Sequence, residues 1–582
     1  MASLDPLVAF RSRSALSLLF ADTLSSLNLT PRQLDRAFPF YLDDAIRLLR
    51  PFTGGDSLGN GYPRLVSSTG GGFASTGVFL DGMQLADPLT SRVDWRMLPT
   101  EIVERAAYIG GGGLSGVSGW ADEIHLFSRY PRVGTPVTHM GISGGAYEIN
   151  KVGGGLRRKI FESGAIHVHI NKIQQSTEDF DARVENIQYY TRIQQQLSQG
   201  ALLAVDGLFF SDSYRSGASR LRTAATRIRT SLTGVLGDGY GYGFSYGYAD
   251  GEQPFDTDTG TVTAGASSHR LDASFNSDPS RVVNLAAEVA LASTGLKNFP
   301  TAFEGKDSRT RSRLALRMGI GSQGPWRLQL SGGARSVTGG DSKPVGGVTL
   351  NYAPSAADGL WVSWKHDAIA PSPAATLSAF GTLDPAEKFT TGSLDHLEAG
   401  WSRGLENGWH FSLAAFHRRL DAMPVEPPQA NPFRPLFLRA VSANLTGLSY
   451  RAAGTLFGFL ETGLTGMELF DTPDEVPWLP ARRISATVGL QGLGYDGDLG
   501  WSLRAETVYE GVLRYPLGSS LSSPLREQPG RVNFFGAASV RIIDFTIFAR
   551  ADFLTSDYYN GTDPLNFPGP RVVVGIDWVF RD

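Results

Sequence analysis

The stretch Gly164–Lys172 reads "GAIHVHINK". In an extended chain Ile166, Val168 and Ile170 share one face, and His167 and His169 share the other, because successive side chains of a strand point to opposite sides. The same period of two recurs far downstream. In "ISATVGLQG" (Ile484–Gly492), Ile484, Ala486, Val488 and Leu490 oppose Ser485, Thr487, Gly489 and Gln491. "GWHFSLAAF" sets Trp409, Phe411, Leu413 and Ala415 against His410, Ser412 and Ala414, and Val574, Ile576, Trp578 and Phe580 line one face of the last segment. Alternation sustained over ~8–10 residues marks strands with one apolar and one polar face.

Extending this reading from residue 135 gives about 22 strands of membrane-barrel length. They are centred near residues 140, 155, 167, 191, 205, 228, 243, 270, 286, 314, 330, 348, 362, 397, 412, 443, 459, 488, 503, 536, 548 and 576. The connections alternate in length. Short ones are Ser198–Gly200, Gly237–Gly239, Ser322–Trp326, Gly404–Gly408 and Tyr495–Asp498. Long ones are Ala249–Ala264, Ala368–Thr391, Asp421–Arg434, Glu468–Arg482 and Glu510–Gly530. A soluble sandwich gives no reason for this rhythm. A transmembrane antiparallel β-barrel does, with short periplasmic turns, long outer loops and an apolar outer band. Closure also satisfies every backbone group, which lipid demands. Trp326, Trp361, Trp364, Trp401, Trp409, Trp501 and Trp578 lie in or beside these strands, many near their ends, where interfacial belts place them.

Composition agrees. The 582 residues include 69 glycines, only 19% are charged, and the net charge of −4 gives no reason to expect a nucleic-acid partner. There is no cysteine, which excludes disulfides and thiolate metal sites. No apolar run approaches the ~18 residues of a membrane-spanning helix. Ala15–Ala21, following Arg11 and Arg13, has the charged-then-apolar texture of a secretory signal, without a clean small-residue cleavage site after it.

Residues 1–130 do not alternate. Thr30–Phe38 reads as a helix with Thr30 at the N-cap and Pro31 first inside it. Tyr41–Phe52 reads as a second short helix with Leu42, Ile46 and Leu49 on one face, ended by Pro51. "GVFLDGMQLADP" (Gly77–Pro88) places Asp81-Gly82 between two apolar runs, the strongest short-range signal for a tight hairpin. In "LPTEIVERAAYIGGGG" (Leu98–Gly113), Thr100 is placed to cap a short turn and Ala106–Ile109 reads as a strand entering glycines. "DEIHLFSR" (Asp122–Arg129) gives a further strand.

In this order, ahead of such a barrel, these segments resemble the plug domain of TonB-dependent outer-membrane receptors. Asp81, Gly82, Pro99, Ile102, Glu104, Arg105 and the glycines Gly110, Gly111, Gly112 and Gly113 occupy the places of the family's plug motif. The chain departs from the family pattern in three places. No TonB box is legible, Leu114–Trp120 stands where the family has a small-polar-Tyr-Gly stretch, and Arg581-Asp582 follow the terminal aromatic Phe580. The expected fold is mostly β: an N-terminal extension (1–37), a small α+β plug (38–130) inside the lumen, and a transmembrane barrel (131–582).

The resemblance implies a receptor-transporter in the outer membrane of a diderm bacterium, surrounded by outer-membrane lipids. It would bind a scarce small-molecule or oligosaccharide ligand at outer loops and plug. A TonB-type coupler with ExbB and ExbD would energise import. Iron siderophores, haem, cobalamin and oligosaccharides are the substrates implied, and the residues do not choose among them. The alternative is a plugged barrel serving as a structural or assembly component, with other outer-membrane subunits and no energised uptake.

No catalytic constellation is legible, so no enzyme is expected. The nine histidines are scattered, and Gly111–Gly116 follows no strand–helix context for a phosphate cradle, so tight turns explain its glycines. Asp250, Glu252, Asp256 and Asp258, assigned to an outer loop, form an oxygen-rich group that Ca²⁺ could use, although the spacing is not that of an EF-hand and solvated loop acids are the simpler reading. Glu178, Asp179 and Asp181, in Ser176–Glu185, are read the same way. No other cofactor is expected. His167 and His169 face the expected lumen, as ligand contacts or as hydrated wall. Asp81, Glu101, Glu104, Arg105, Asp122 and Glu123 are expected to pair with charges on the barrel wall, fixing the plug.

Overall fold

The computed structural model describes residues 27–29, 31, 34, 39, 41–46, 53–55, 65–67, 76–110 and 122–129, and the barrel from 136 to 581 apart from connecting segments, the longest being 298–307, 371–390, 426–438, 517–524 and 553–570. Twenty-two strands close into one antiparallel barrel. It opens with β8 (Val137–Gly145), β9 (Ile149–Phe161), β10 (Gly164–Thr177), β11 (Ala182–Ser198), β12 (Ala201–Ser216), β13 (Ser219–Leu236), β14 (Tyr240–Thr257), β15 (Gly260–Asn276) and β16 (Val283–Lys297). It closes where Arg571–Arg581 pairs with β8, from Arg581↔Val137 to Val573↔Gly145. Every strand centre expected from the sequence lies within a barrel strand except residue 459, one place ahead of Leu460–Leu469.

The alternation sorts as expected. Val168, Ile170, Tyr189, Ile193, Leu314, Leu316, Val488, Leu503, Val574 and Ile576 are exposed on the outer face, while His167, His169, Asn171, Gln188, Arg192 and Ser485 are buried inside. Trp361 departs from the expected belt. It is buried on the inner side, where its indole N–H donates to Glu398 Oε1 at 3.0 Å.

Three expected loops are shorter than the sequence suggests. Within Ala249–Ala264, β14 and β15 stay paired from Gly241↔Asn276 to Thr257↔Gly260. Within Ser176–Glu185, β10 runs to Thr177 and β11 starts at Ala182, and His410–Val425 takes in the start of Asp421–Arg434. Ladder hydrogen bonds are independent of side-chain polarity. Where a strand carries polar groups on both faces, the period-two signal vanishes while the pairing persists.

Ahead of the barrel, β1 (Leu27–Leu29), β4 (Thr76–Leu80), β5 (Met83–Gln84), β6 (Val103–Gly110) and β7 (Asp122–Ser128) form a sheet ordered β1-β6-β7-β4-β5. Two further strands, β2 (Thr53–Gly55) and β3 (Leu65–Ser67), pair with each other. The plug sheet thus takes in Leu27–Leu29, upstream of the expected boundary at residue 38, because β1 pairs with β6 from Leu27↔Tyr108 to Leu29↔Ala106. Helix α1 is a single turn, Asp43–Ile46. Leu42 and Ile46 are buried as expected, while Leu49 and most of the Thr30–Phe38 helix lie outside the described residues. A compact apolar core joins Leu29, Val78, Leu80, Trp95, Ile102, Tyr108 and Leu126 with the wall residues Tyr190, Leu208 and Phe210.

Candidate functional site: the plug–wall interface

The hairpin forms where expected. Asp81 and Gly82 turn at φ 47° and 87°, the left-handed pair that a two-residue primed turn requires and glycine adopts without strain. Asp81 does more than turn the chain. Its carboxylate accepts the Ser128 N–H at the end of β7 (3.2 Å) and the Arg192 Nη1 donor of β11 (2.7 Å). Arg192 Nη1 also donates to Asp206 on β12 at 3.0 Å, so one guanidinium bridges two acids. The peptide oxygen of Asp81 accepts from Arg229 Nη1 on β13 at 2.6 Å.

Pro99 begins a single 3₁₀ turn, Thr100–Ile102, with no side-chain cap. Thr100 therefore does not cap it as expected. Its hydroxyl instead accepts from Lys151 Nζ on β9 at 3.2 Å. Glu101 binds the same Lys151 at 2.7 Å, accepts from Asn171 Nδ2 at 2.9 Å and lies 3.5 Å from His169 Nε2. Burial pushes its carboxyl upward, but Lys151, His169 and His139 together hold it well below the usual glutamate range. Ile102 is fully buried.

On the opposite wall, Asp122 receives Arg418 Nη2 at 2.8 Å and Nη1 at 3.1 Å, and the Tyr108 hydroxyl at 2.6 Å. Both Asp122 and Arg418 are wholly excluded from solvent. Two members of the expected ion-pair set have neighbours within the plug. Glu123 meets His125 at 2.9 Å, and Arg105 lies over the Phe127 ring at 4.1 Å. Gly111, Gly112 and Gly113 lie outside the described residues; Gly110 ends β6.

Sequence reading missed Arg96. Asp94 caps the Trp95–Met97 turn and binds Arg96 at 2.7 Å, while Arg96 Nη1 reaches Asp212 on β12 at 2.8 Å. Burial alone would lower the Arg96 pKa, but Asp212 and Asp94 raise it above its usual value. The "DWR" pattern gives a local capping signal, whereas its wall partner lies 116 positions away.

His167 and His169 are both buried on the lumenal side. His169 Nε2 lies 2.9 Å from Asn171 Oδ1, and His167 packs edge-on against Tyr190 with ring centroids 5.2 Å apart. His169 belongs to the wall supporting Glu101. Three of the acids proposed for Ca²⁺, Asp250, Glu252 and Asp256, are on a strand and not on a loop, because β14 stays paired as far as Thr257. Asp250 and Glu252 lie on β14, and Asp250 pairs with Lys297 at 2.5 Å. Glu185 likewise lies on β11 and pairs with Lys172 at 2.8 Å. The side chains of Asp256 and Asp258, and residues Glu178, Asp179 and Asp181, lie outside the described set. Among the described residues, no group of three or more His, Asp or Glu is placed to hold a metal ion.

A barrel of 22 strands with a mixed-sheet plug fastened to its inner wall can be compared with solved structures. The fold is that of the TonB-dependent siderophore receptors. The ferric enterobactin receptor PfeA of Pseudomonas aeruginosa matches with a TM-score of 0.77 over 96% of this chain and 99% of its own, at 12% identity. The siderophore receptor PirA of Acinetobacter baumannii gives 0.77 over 96% and 98%, also at 12% identity. The FrpB iron transporter of Neisseria meningitidis gives 0.77 over 95% and 99%, at 11%. No family model and no curated protein sequence matches the chain. Agreement over nearly the full length of both chains places plug and barrel together as one receptor fold.

Proposed function

We propose that this chain is an outer-membrane receptor-transporter that binds a scarce solute at its outer loops and plug and passes it to the periplasm without covalent chemistry. The observation that carries this reading is the plug's attachment. Its sheet is fixed to the barrel by discrete charged contacts, Asp81–Arg192, Arg96–Asp212, Glu101–Lys151 and Asp122–Arg418. Such contacts hold a specific arrangement, and with no disulfide in the chain they are all reversible. Moving the plug then requires work at the periplasmic side, the role of a TonB-type coupler with ExbB and ExbD. Iron chelates are the first solute class to test, given the siderophore receptors that share the fold.

Mass spectrometry of small molecules retained by the detergent-extracted protein tests the reading, together with uptake in cells before and after the proton-motive force is collapsed. A bound iron chelate and force-dependent uptake are expected. An empty barrel with stoichiometric protein subunits, and no force-dependent uptake, would overturn the reading in favour of a structural role.

A further inference from the structure

Toward their outer ends five neighbouring strands, Asp358–Ile369, Gly392–Gly404, His410–Val425, Arg439–Leu456 and Leu460–Leu469, reverse the polarity of the wall. His417, Arg419, Ser442 and Asn444 are exposed on the outward face, while Leu394, Leu420, Leu445 and Met467 point into the lumen and are 2% exposed or less. Lipid covers an outward apolar face, but an inward one meets water unless the chain itself covers it. The cover is the connection from Phe470 to Ala481, within the outer loop expected at Glu468–Arg482. Its Val476 and Leu479 are 0% and 1% exposed and belong to the same apolar cluster.

The connection therefore folds inward over the lumenal face. Its base is closed by the Leu469 N–H, which donates to the Ala481 oxygen at 2.7 Å, and is tied to the next strand by the Phe470 N–H, which donates to the Thr446 oxygen at 2.9 Å. The Val476 N–H donates to the Pro473 oxygen and the Leu479 N–H to the Val476 oxygen, both at 3.1 Å, so tight turns present both apolar side chains. Arg418 sits between Phe416 and Leu420 on the inward face of His410–Val425, and both neighbours belong to the cluster. Its guanidinium lies 5.9 Å from the Phe416 ring and holds Asp122 of the plug with neither partner exposed. The apolar cluster thus borders the plug's driest fastening.

We propose that the Phe470–Ala481 connection is a fixed inner lining of the outer mouth and not a gate, with Val476 and Leu479 as its anchors. Burying one valine and one leucine side chain favours the packed form by roughly a hundredfold or more. The lining closes this side of the mouth and keeps water from Asp122–Arg418 on its outer side, where a low local dielectric strengthens the pair. One consequence rests on the receptor-transporter reading: a solute reaches the plug along the wall outside these five strands. The packing itself does not depend on that reading.

The chain has no cysteine, so a single introduced thiol reports exposure directly. Leu445→Cys places one under the lining, and Ser442→Cys places one on the exposed face of the same strand as a control. The full chain is labelled with a membrane-impermeant maleimide in intact cells growing on limiting iron, before and after the proton-motive force is collapsed. Leu445→Cys is expected to react roughly a hundredfold more slowly than Ser442→Cys in both states. Adding Val476→Ser and Leu479→Ser should speed its labelling by about tenfold or more. In nanodiscs the same pair should accelerate amide exchange at 122–126, with circular dichroism confirming an intact barrel. Val476→Ala with Leu479→Ala should move both readouts the same way by less, and serves if the serine pair does not assemble. Equal labelling of Leu445→Cys and Ser442→Cys, or labelling of Leu445→Cys that rises in energised cells, overturns the fixed lining. Unchanged exchange at 122–126 overturns its part in keeping the fastening dry. A protected Leu445→Cys in a chain that imports nothing supports the lining and overturns the transporter, whereas force-dependent uptake that exposes Leu445→Cys keeps the transporter and overturns the lining.

Discussion

Plug and barrel bury opposite surfaces. The plug has an apolar centre, with Val78, Leu80, Ile102 and Ile124 nearly inaccessible, and it places charge at its perimeter. The barrel is inverted, with its apolar residues outside and Arg192, Arg418, Asp206 and Asp212 within. The solvent each face meets explains the difference. Lipid accepts the outer face of the barrel, so no apolar core is needed behind it. The plug meets a mostly polar wall, which lends its core Tyr190, Leu208 and Phe210, and elsewhere the two parts join through charges. A buried pair adds little net stability over an apolar substitute, yet loss of one partner strands a charge. The charged contacts therefore add specificity to an interface whose apolar part is confined to a few wall residues.

This contrast can be broken in graded ways. The largest effect is expected for Asp122→Ala, which leaves the Arg418 guanidinium buried without its carboxylate. It should destabilise plug docking by about 3–5 kcal/mol, read as lost amide protection in β6 and β7 while the barrel ladder stays protected. Unchanged protection would mean that the pair does not fasten the plug.

Next is the outer face. Leu314→Arg, in the middle of Ser308–Ile320, should destabilise the barrel in lipid by about 2–4 kcal/mol, measured by reversible denaturant unfolding in vesicles. A neutral result would place that face away from the hydrocarbon.

A smaller, pH-dependent effect belongs to Glu101. Its folded pKa is depressed, so its contribution is full above its ordinary value near 4.5 and is lost as pH falls through the lower folded value. Amide exchange at 100–104 should therefore accelerate below about pH 4.5 in wild type. Lys151→Met, which removes the Glu101 partner, should move that onset to higher pH, and an onset that does not move would contradict the pairing. The smallest effect is expected for Lys172→Ala. The Lys172–Glu185 pair is exposed, so stability should change by less than about 1 kcal/mol, checked in the same unfolding assay.

How much was legible follows from the range of each signal. Period two is local, so the strands, their faces and the inward placement of His167 and His169 could be read from the chain. The Asp81-Gly82 turn was legible for the same reason, since backbone angles are set within four residues. The continuation of β14 and β15 through Ala249–Ala264 was not, because its pairing carries no side-chain signature. The inward tryptophan Trp361 escaped too, since propensity does not distinguish a belt from a lumenal hydrogen bond to Glu398.

The sequence by itself determined the strand number, the two-faced strands and the plug's turn, because each depends on residues a few places apart. Only the tertiary structure decided which wall charges hold the plug. Asp81 meets Arg192 across 111 positions and Asp122 meets Arg418 across 296. Those meetings depend on how the sheet closes and how the plug is rotated inside it, and no local pattern encodes either.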